Sequence, residues 1–145
     1  MKERMNIEEA NPGIYKAMEA AEKHLAGCRL DKKLTELIKL RVSQLNGCGY
    51  CVNMHSADAL KAGETPKRVF AVSAWWETPF FTDSERAAFK LAEEVTFISK
   101  QGLTEESYQE ASLHFSEAEI AQLIFMTVIA NSWNRLAIST HMVAE

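Results

Sequence analysis

Apolar residues recur along this chain at spacings of three and four, the mark of amphipathic helices. No run of alternating β-branched residues bounded by turns competes with that pattern. Asn11-Pro12 supplies an N-cap and first helical residue for a segment with Ile14, Met18, Ala21 and Leu25 on one face, ending near Gly27. Asp31 caps a second helix carrying Leu34, Leu37, Ile38, Val42 and Leu45, and Asn46-Gly47 stops it. A third is expected from Cys48 to Ala62, with Gly63 as its stop. Thr65-Pro66 starts a fourth, which should reach Trp75-Trp76 before Pro79 breaks it. Thr82-x-x-Glu85 and Ser116-x-x-Glu119 both have capping-box spacing ahead of apolar helical patterns. Between them Gly102 ends one helix, and Thr104 can cap a short one through Phe115. The final helix, about Glu117 to His141, is apolar on several faces from Ile120 to Ile129, which suits a central core position or a subunit interface. The expectation is an all-α bundle of six to seven helices, one domain over residues 1–145.

Composition narrows the function classes. A hydrophobic share of 47% with 25% charged residues sits near the globular average, so wholesale disorder is not expected. The formal net charge of -4 argues against nucleic acid or an anionic membrane as partner, because both reward a basic surface. No stretch approaches the about 18 uninterrupted apolar residues of a membrane span. The residues from Met1 to Glu9 lack the apolar core of a signal peptide, so a cytoplasmic protein is expected. Three cysteines, an odd number, do not suggest a disulfide framework in a reducing compartment. A close pair there is more often redox-active or metal-binding.

The candidate chemistry lies between Glu36 and His55, where two cysteines, a histidine and a carboxylate interrupt an apolar helical pattern. If residues 48 to 62 are helical, Cys48, Cys51 and His55 project within roughly 60° of one another. The cysteines fall in the first turn, where unpaired N–H groups and the helix dipole favour a thiolate. A nearby imidazole can accept the thiol proton or stabilise the anion. Two thiols at C-x-x-C spacing can also close a disulfide, so that an oxidised first cysteine is resolved by the second. A tight Asn46-Gly47 turn could fold Glu36 back against His55, orienting its ring and making it a better base. A metal site remains the alternative: Cys48, Cys51 and His55 give three ligands, with Cys28 or Glu36 as the fourth.

The pattern E-x11-C-x-x-C-x3-H, here Glu36, Cys48, Cys51 and His55, resembles the alkylhydroperoxidase-D-like (AhpD-like) group of the carboxymuconolactone decarboxylase superfamily. The segments Ala74 to Pro79 and Asn131 to Ile138, and the order of helices, extend the resemblance along most of the chain. It implies a CxxC at the N-terminus of a helix, with Cys51 the attacking thiolate, Cys48 the resolving one, and His55 and Glu36 a proton relay. It further implies a hydroperoxide substrate, no bound cofactor or metal, and a dithiol reductant such as a lipoyl-bearing or thioredoxin-like protein. A homo-oligomer, trimer or hexamer, goes with it. Some members carry a histidine just before the second cysteine, where this chain has Tyr50. Decarboxylases of the superfamily, which lack the cysteine pair, and a non-enzymatic helical metal-binding or interaction module are the competing classes.

Elsewhere the residues read as structure. Cys28 is expected to be a small buried hydrophobe near a helix end. Trp75, Trp76, Trp133, Phe80 and Phe81 suit core or interface more than a substrate platform. Lys32, Lys33, Lys39 and Arg41 form a solvated face; His24, His114 and His141 have no partner pattern. Asn131, Asn134 and Arg135 interrupt an apolar helix and therefore need hydrogen-bond partners, within the chain or across subunits.

Overall fold

A computed structural model describes residues 1–144. Its α-helices are α1 (Ile7–Ala10), α2 (Pro12–Ala26), α3 (Lys32–Asn46), α4 (Gly49–Lys61), α5 (Pro66–Ala71), α6 (Asp83–Thr96), α7 (Ile98–Gln101), α8 (Glu105–Ser112) and α9 (Glu117–Thr140), with a 3-10 helix over Val72–Glu77. There is no strand among the described residues, as the all-α expectation required. The helix count exceeds six to seven because short turns form at α1 and α7 and because the fourth helix divides. That helix was expected to run on to Trp75-Trp76, yet α5 stops at Ala71 and Ala74 leaves helical geometry at φ -136°. Arginine side chains bond the carbonyls on either side of the break. Arg41 Nη1 donates to Ser73 O, and Arg86 donates to the carbonyls of Trp75, Trp76 and Thr78.

The centre of the bundle is α3, which packs against α4, α6 and α9. Leu34, Leu37, Ile38, Leu40 and Val42 are all buried, so the helix is enclosed on most of its circumference. They join Phe89 and Leu91 of α6 and Ile120, Leu123 and Met126 of α9 in one apolar cluster. Arg41 and Lys39 depart from the expected solvated face. Arg41 is buried with Nε donating to Glu93 Oε1 at 2.8 Å, and Lys39 donates to Glu22 Oε2 at 3.0 Å. Lys32 and Lys33 are exposed, as expected.

The polar residues of α9 find their partners inside the chain. Asn46 Nδ2 donates to Asn131 Oδ1 and Asn134 Oδ1, both at 2.9 Å, and Asn134 Nδ2 donates to Ser43 Oγ at 3.0 Å. Arg135 caps the group by donating to Asn131 Oδ1. These bonds pin the last turn of α3 to α9, immediately before the chain reverses into α4. Replacing fully buried Asn134 with Ala should therefore cost about 1–3 kcal/mol of stability, measured by urea unfolding, because its partners keep their burial without it.

A second buried anchor is Glu94 of α6. Its carboxylate accepts from Thr104 N and Ser107 Oγ, each at 2.8 Å, and so holds the N-terminus of α8. Burial pushes its pKa up, but the Thr104 and Ser107 hydrogen bonds and the charge of Lys90 outweigh that, leaving the carboxyl below its ordinary value. A carboxyl depressed in the folded state stabilises above the unfolded range and loses that contribution as pH falls through the folded value. Glu94→Gln is thus expected to cost about 1–3 kcal/mol at neutral pH, with the difference from the parent shrinking on acidification in a urea series.

Candidate active site

The site begins with a turn. Gly47 adopts φ 69°, ψ 30°, a left-handed conformation that costs glycine little and β-carbon residues more. Its N–H donates to Gln44 O, and the Cys48 N–H donates to Ser43 O at 3.0 Å, closing the C-terminus of α3 in a Schellman pattern. The reversal lays α4 along α3. Cys48 is the N-cap of α4 rather than its first helical residue, which corrects the start expected at residue 48. Its Sγ accepts from Cys51 N at 3.3 Å, and it is bonded to Cys51 in a disulfide with the Cα atoms 5.3 Å apart. As a cap, Cys48 lies outside the helical arithmetic that aligned it with His55; Cys51 and His55, four residues apart in α4, keep it.

Opposite them, Glu36 projects from the second turn of α3. Glu36 Oε2 and His55 Nδ1 are 2.9 Å apart, and both side chains are about one-tenth exposed. With the carboxylate ionised, Nδ1–H is the donor, and Nε2 is the nitrogen left for exchanging protons. The carboxylate that would be a surface residue by itself is 8% exposed.

Cys51, Glu36 and His55 border an open cavity of about 400 Å³ between α2, α3, α4 and α9. Cys51 faces it; Cys48 lies behind, 1% exposed. The remaining wall contains residues that pattern reading passed over and one, Trp133, that it assigned to core or interface. Tyr15, Glu19 and Glu22 come from one face of α2, Met54 and Asp58 from α4, and Trp133 from α9. Trp133 is therefore part of the cavity lining, edge-on to Tyr15 at 5.6 Å between ring centroids. The signal for Met54 and Asp58 was present, since both share a helical face with Cys51 and His55. Tyr15, Glu19 and Glu22 are also spaced as one face, but a solvated stripe looks the same in sequence. Burial, then the charges of Glu8 and Glu19, holds the Tyr15 hydroxyl above its ordinary pKa.

The metal alternative is not assembled as drawn. The two cysteines are spent on each other, and Cys28, beyond the end of α2, bonds weakly to His24 O. The group whose ligand atoms do converge, within 4.8 Å of one another, is Glu36, His55 and Asp58. Of the other histidines, His24 meets Phe125 edge-on and His114 Nε2 lies 3.4 Å from Glu110.

The family model for carboxymuconolactone decarboxylase matches residues 12–94. Over 139 residues the chain is 37% identical to the uncharacterized protein YdfG of Bacillus subtilis strain 168, covering 96% of this chain and 95% of that one. It superposes on the crystal structure of a protein of unknown function from Agrobacterium tumefaciens with a TM-score of 0.97, at 32% identity over 99% of each chain. A segment of 60 residues is 43% identical to alkyl hydroperoxide reductase AhpD of Coxiella burnetii, covering 41% of this chain but 24% of that protein. By sequence match over more than half its length and by its AhpD-like fold, this chain belongs to the carboxymuconolactone decarboxylase family.

Proposed function

We propose that the protein is a thiol-dependent hydroperoxidase, reducing organic hydroperoxides through a Cys48–Cys51 dithiol/disulfide cycle. The observation that carries this reading is the joining of Cys48 and Cys51 beside a cavity that Cys51 shares with the Glu36–His55 pair. In the reduced protein, His55 Nε2 takes the Cys51 proton. The thiolate attacks the outer oxygen of the hydroperoxide; the S–O bond forms as the O–O bond breaks, and the alkoxide leaves as alcohol with the proton from His55. Cys51 is then a sulfenic acid. Cys48 passes its proton to His55 and attacks the Cys51 sulfur; the S–S bond forms, the S–O bond breaks, and hydroxide leaves as water with that proton. Two electrons have moved from the dithiol to the peroxide. A dithiol reductant, of the lipoyl or thioredoxin-like type, reverses the disulfide by exchange. Glu36 holds His55 in the tautomer this sequence requires.

Several features support the wider reading. One apolar cluster links α3 to α9, as expected for a single domain over 1–145. No helix among the described residues is long and apolar enough to cross a membrane, and we read the protein as cytoplasmic. In one chain α2 has no buried residue, and Phe125 and Val128 of α9 are exposed, which suits a homo-oligomer. The decarboxylase reading is disfavoured by the cysteine pair.

One equivalent of hydroperoxide should remove two thiols from the reduced protein, restored by dithiothreitol. Stoichiometric zinc on the isolated protein, or reaction confined to Cys28, would sink the reading. Cys51→Ser should abolish peroxide consumption, while Cys48→Ser should leave a sulfenic acid that dimedone traps on Cys51. Dimedone on Cys48 in the Cys51 variant would reverse the two roles. His55→Gln should displace the rise of the rate with pH upward, because the Cys51 thiolate loses its proton acceptor. An unmoved profile would remove His55 from the relay.

A further inference from the structure

The charges around the cavity are unevenly matched. Four carboxylates line it, Glu19, Glu22, Glu36 and Asp58, against one ammonium, that of Lys39. Lys39 is not available to a ligand. It donates to Glu22 Oε2 at 3.0 Å with its side chain 13% exposed, so this pair is held within the wall. Lys61 reaches Asp58 at 3.2 Å from outside, but it is 76% exposed and well screened by water. His55 is committed to Glu36 through Nδ1, and Glu19 has no ion pair among the described residues. Around these charges stand the rings of Tyr15, Tyr50 and Trp133 and the thioethers of Met54 and Met142, apolar surfaces whose aromatic faces also attract cations. The raised Tyr15 hydroxyl, with the charges of Glu8 and Glu19 among its causes after burial, reports the same negative field.

Resting on the hydroperoxidase reading, we infer that the cavity accepts uncharged or cationic aryl and alkyl hydroperoxides and rejects those that carry a carboxylate. The wall offers an anion no free donor cation; Glu36 is buried, Glu22 and Asp58 are half-buried and Glu19 is exposed, so the like charges range from weakly to fully screened and their effect is largest at low salt. A volume of about 400 Å³ is in the range that encloses a small organic molecule and is far larger than hydrogen peroxide needs. A carboxylate-bearing substrate would have to enter beside Glu19, or separate Lys39 from Glu22, leaving Glu22 half-buried without its cation. The same argument weighs against the carboxylated lactones for which the family is named.

The test uses three unreactive alcohols on one skeleton: cumyl alcohol bearing a para methyl ester, a para carboxylate or a para trimethylammonium group. Binding to the oxidised protein is followed by the change in tryptophan fluorescence and by calorimetry, so that the answer does not depend on turnover. Ester and ammonium should bind about tenfold more tightly than carboxylate at low salt, the size of one like-charge contact at a partly screened surface site. The gap should narrow with added salt. Glu22→Gln, which releases Lys39 toward the cavity, should raise the ratio of carboxylate to ester binding. Glu19→Gln should raise it by removing a like charge, so a folding defect in one variant does not decide the matter. Carboxylate binding equal to or tighter than that of the ester, or a ratio unmoved by both salt and the two variants, would overturn the inference. The matching hydroperoxides then test the parent reading separately: selective binding without Cys51-dependent peroxide consumption sinks the hydroperoxidase and leaves the selectivity standing.

Discussion

Everything at this site hangs on the left-handed turn at Gly47. A helix of fifteen residues cannot present its own second turn to residues downstream unless the chain reverses sharply and stays in register. Gly47 makes the reversal, and the bonds from its N–H and that of Cys48 close the carbonyls left open at the end of α3. Nineteen residues of separation between Glu36 and His55 thereby collapse to a 2.9 Å contact. The same turn delivers Cys48 as the cap of α4, with its sulfur against Cys51. One dihedral angle that only glycine adopts cheaply thus links the end of one helix, the start of the next and the pairing of all four chemical groups.

A turn alone would leave two helices free to slide. The asparagine network stops this by bonding Asn46, the residue before Gly47, to Asn131 and Asn134 in the middle of α9. Buried amides are expensive to leave unpaired, so the network specifies one register of α3 on α9 rather than merely allowing several. The cavity then forms where α2, which contributes no buried residue, lies over the floor made by α3, α4 and α9. Its wall is mostly buried on the floor side and more exposed on the α2 side.

Much of this was legible in the sequence. Helix limits marked by strong caps, such as Asp31, Thr82 and Ser116, fall where the capping residues put them, because each cap satisfies its own backbone donors locally. Where a boundary depends on distant side chains, local pattern fails. The fourth helix breaks at Ala74, and the carbonyls on either side of the break are bonded by arginines of two other helices, Arg41 of α3 and Arg86 of α6. Arg41 and Lys39 read as solvated because lysine and arginine usually are, yet Glu93 and Glu22 wait for them on other helices.

The same division runs through the site. Residue types and spacing along one helix, with 3.6 residues per turn, were enough to associate Cys51 with His55, and a glycine after asparagine was enough to propose the fold-back of Glu36. Those are local facts, set by backbone geometry that any helix shares. Which sulfur faces the cavity, that Trp133 and Tyr15 help enclose it, and that its lysine is already neutralised by Glu22 are relations among four helices. They follow from how ridges and side-chain volumes settle when the helices pack. No periodicity within one segment encodes where the face of another will lie, and so the shape and charge of the cavity had to come from the tertiary structure.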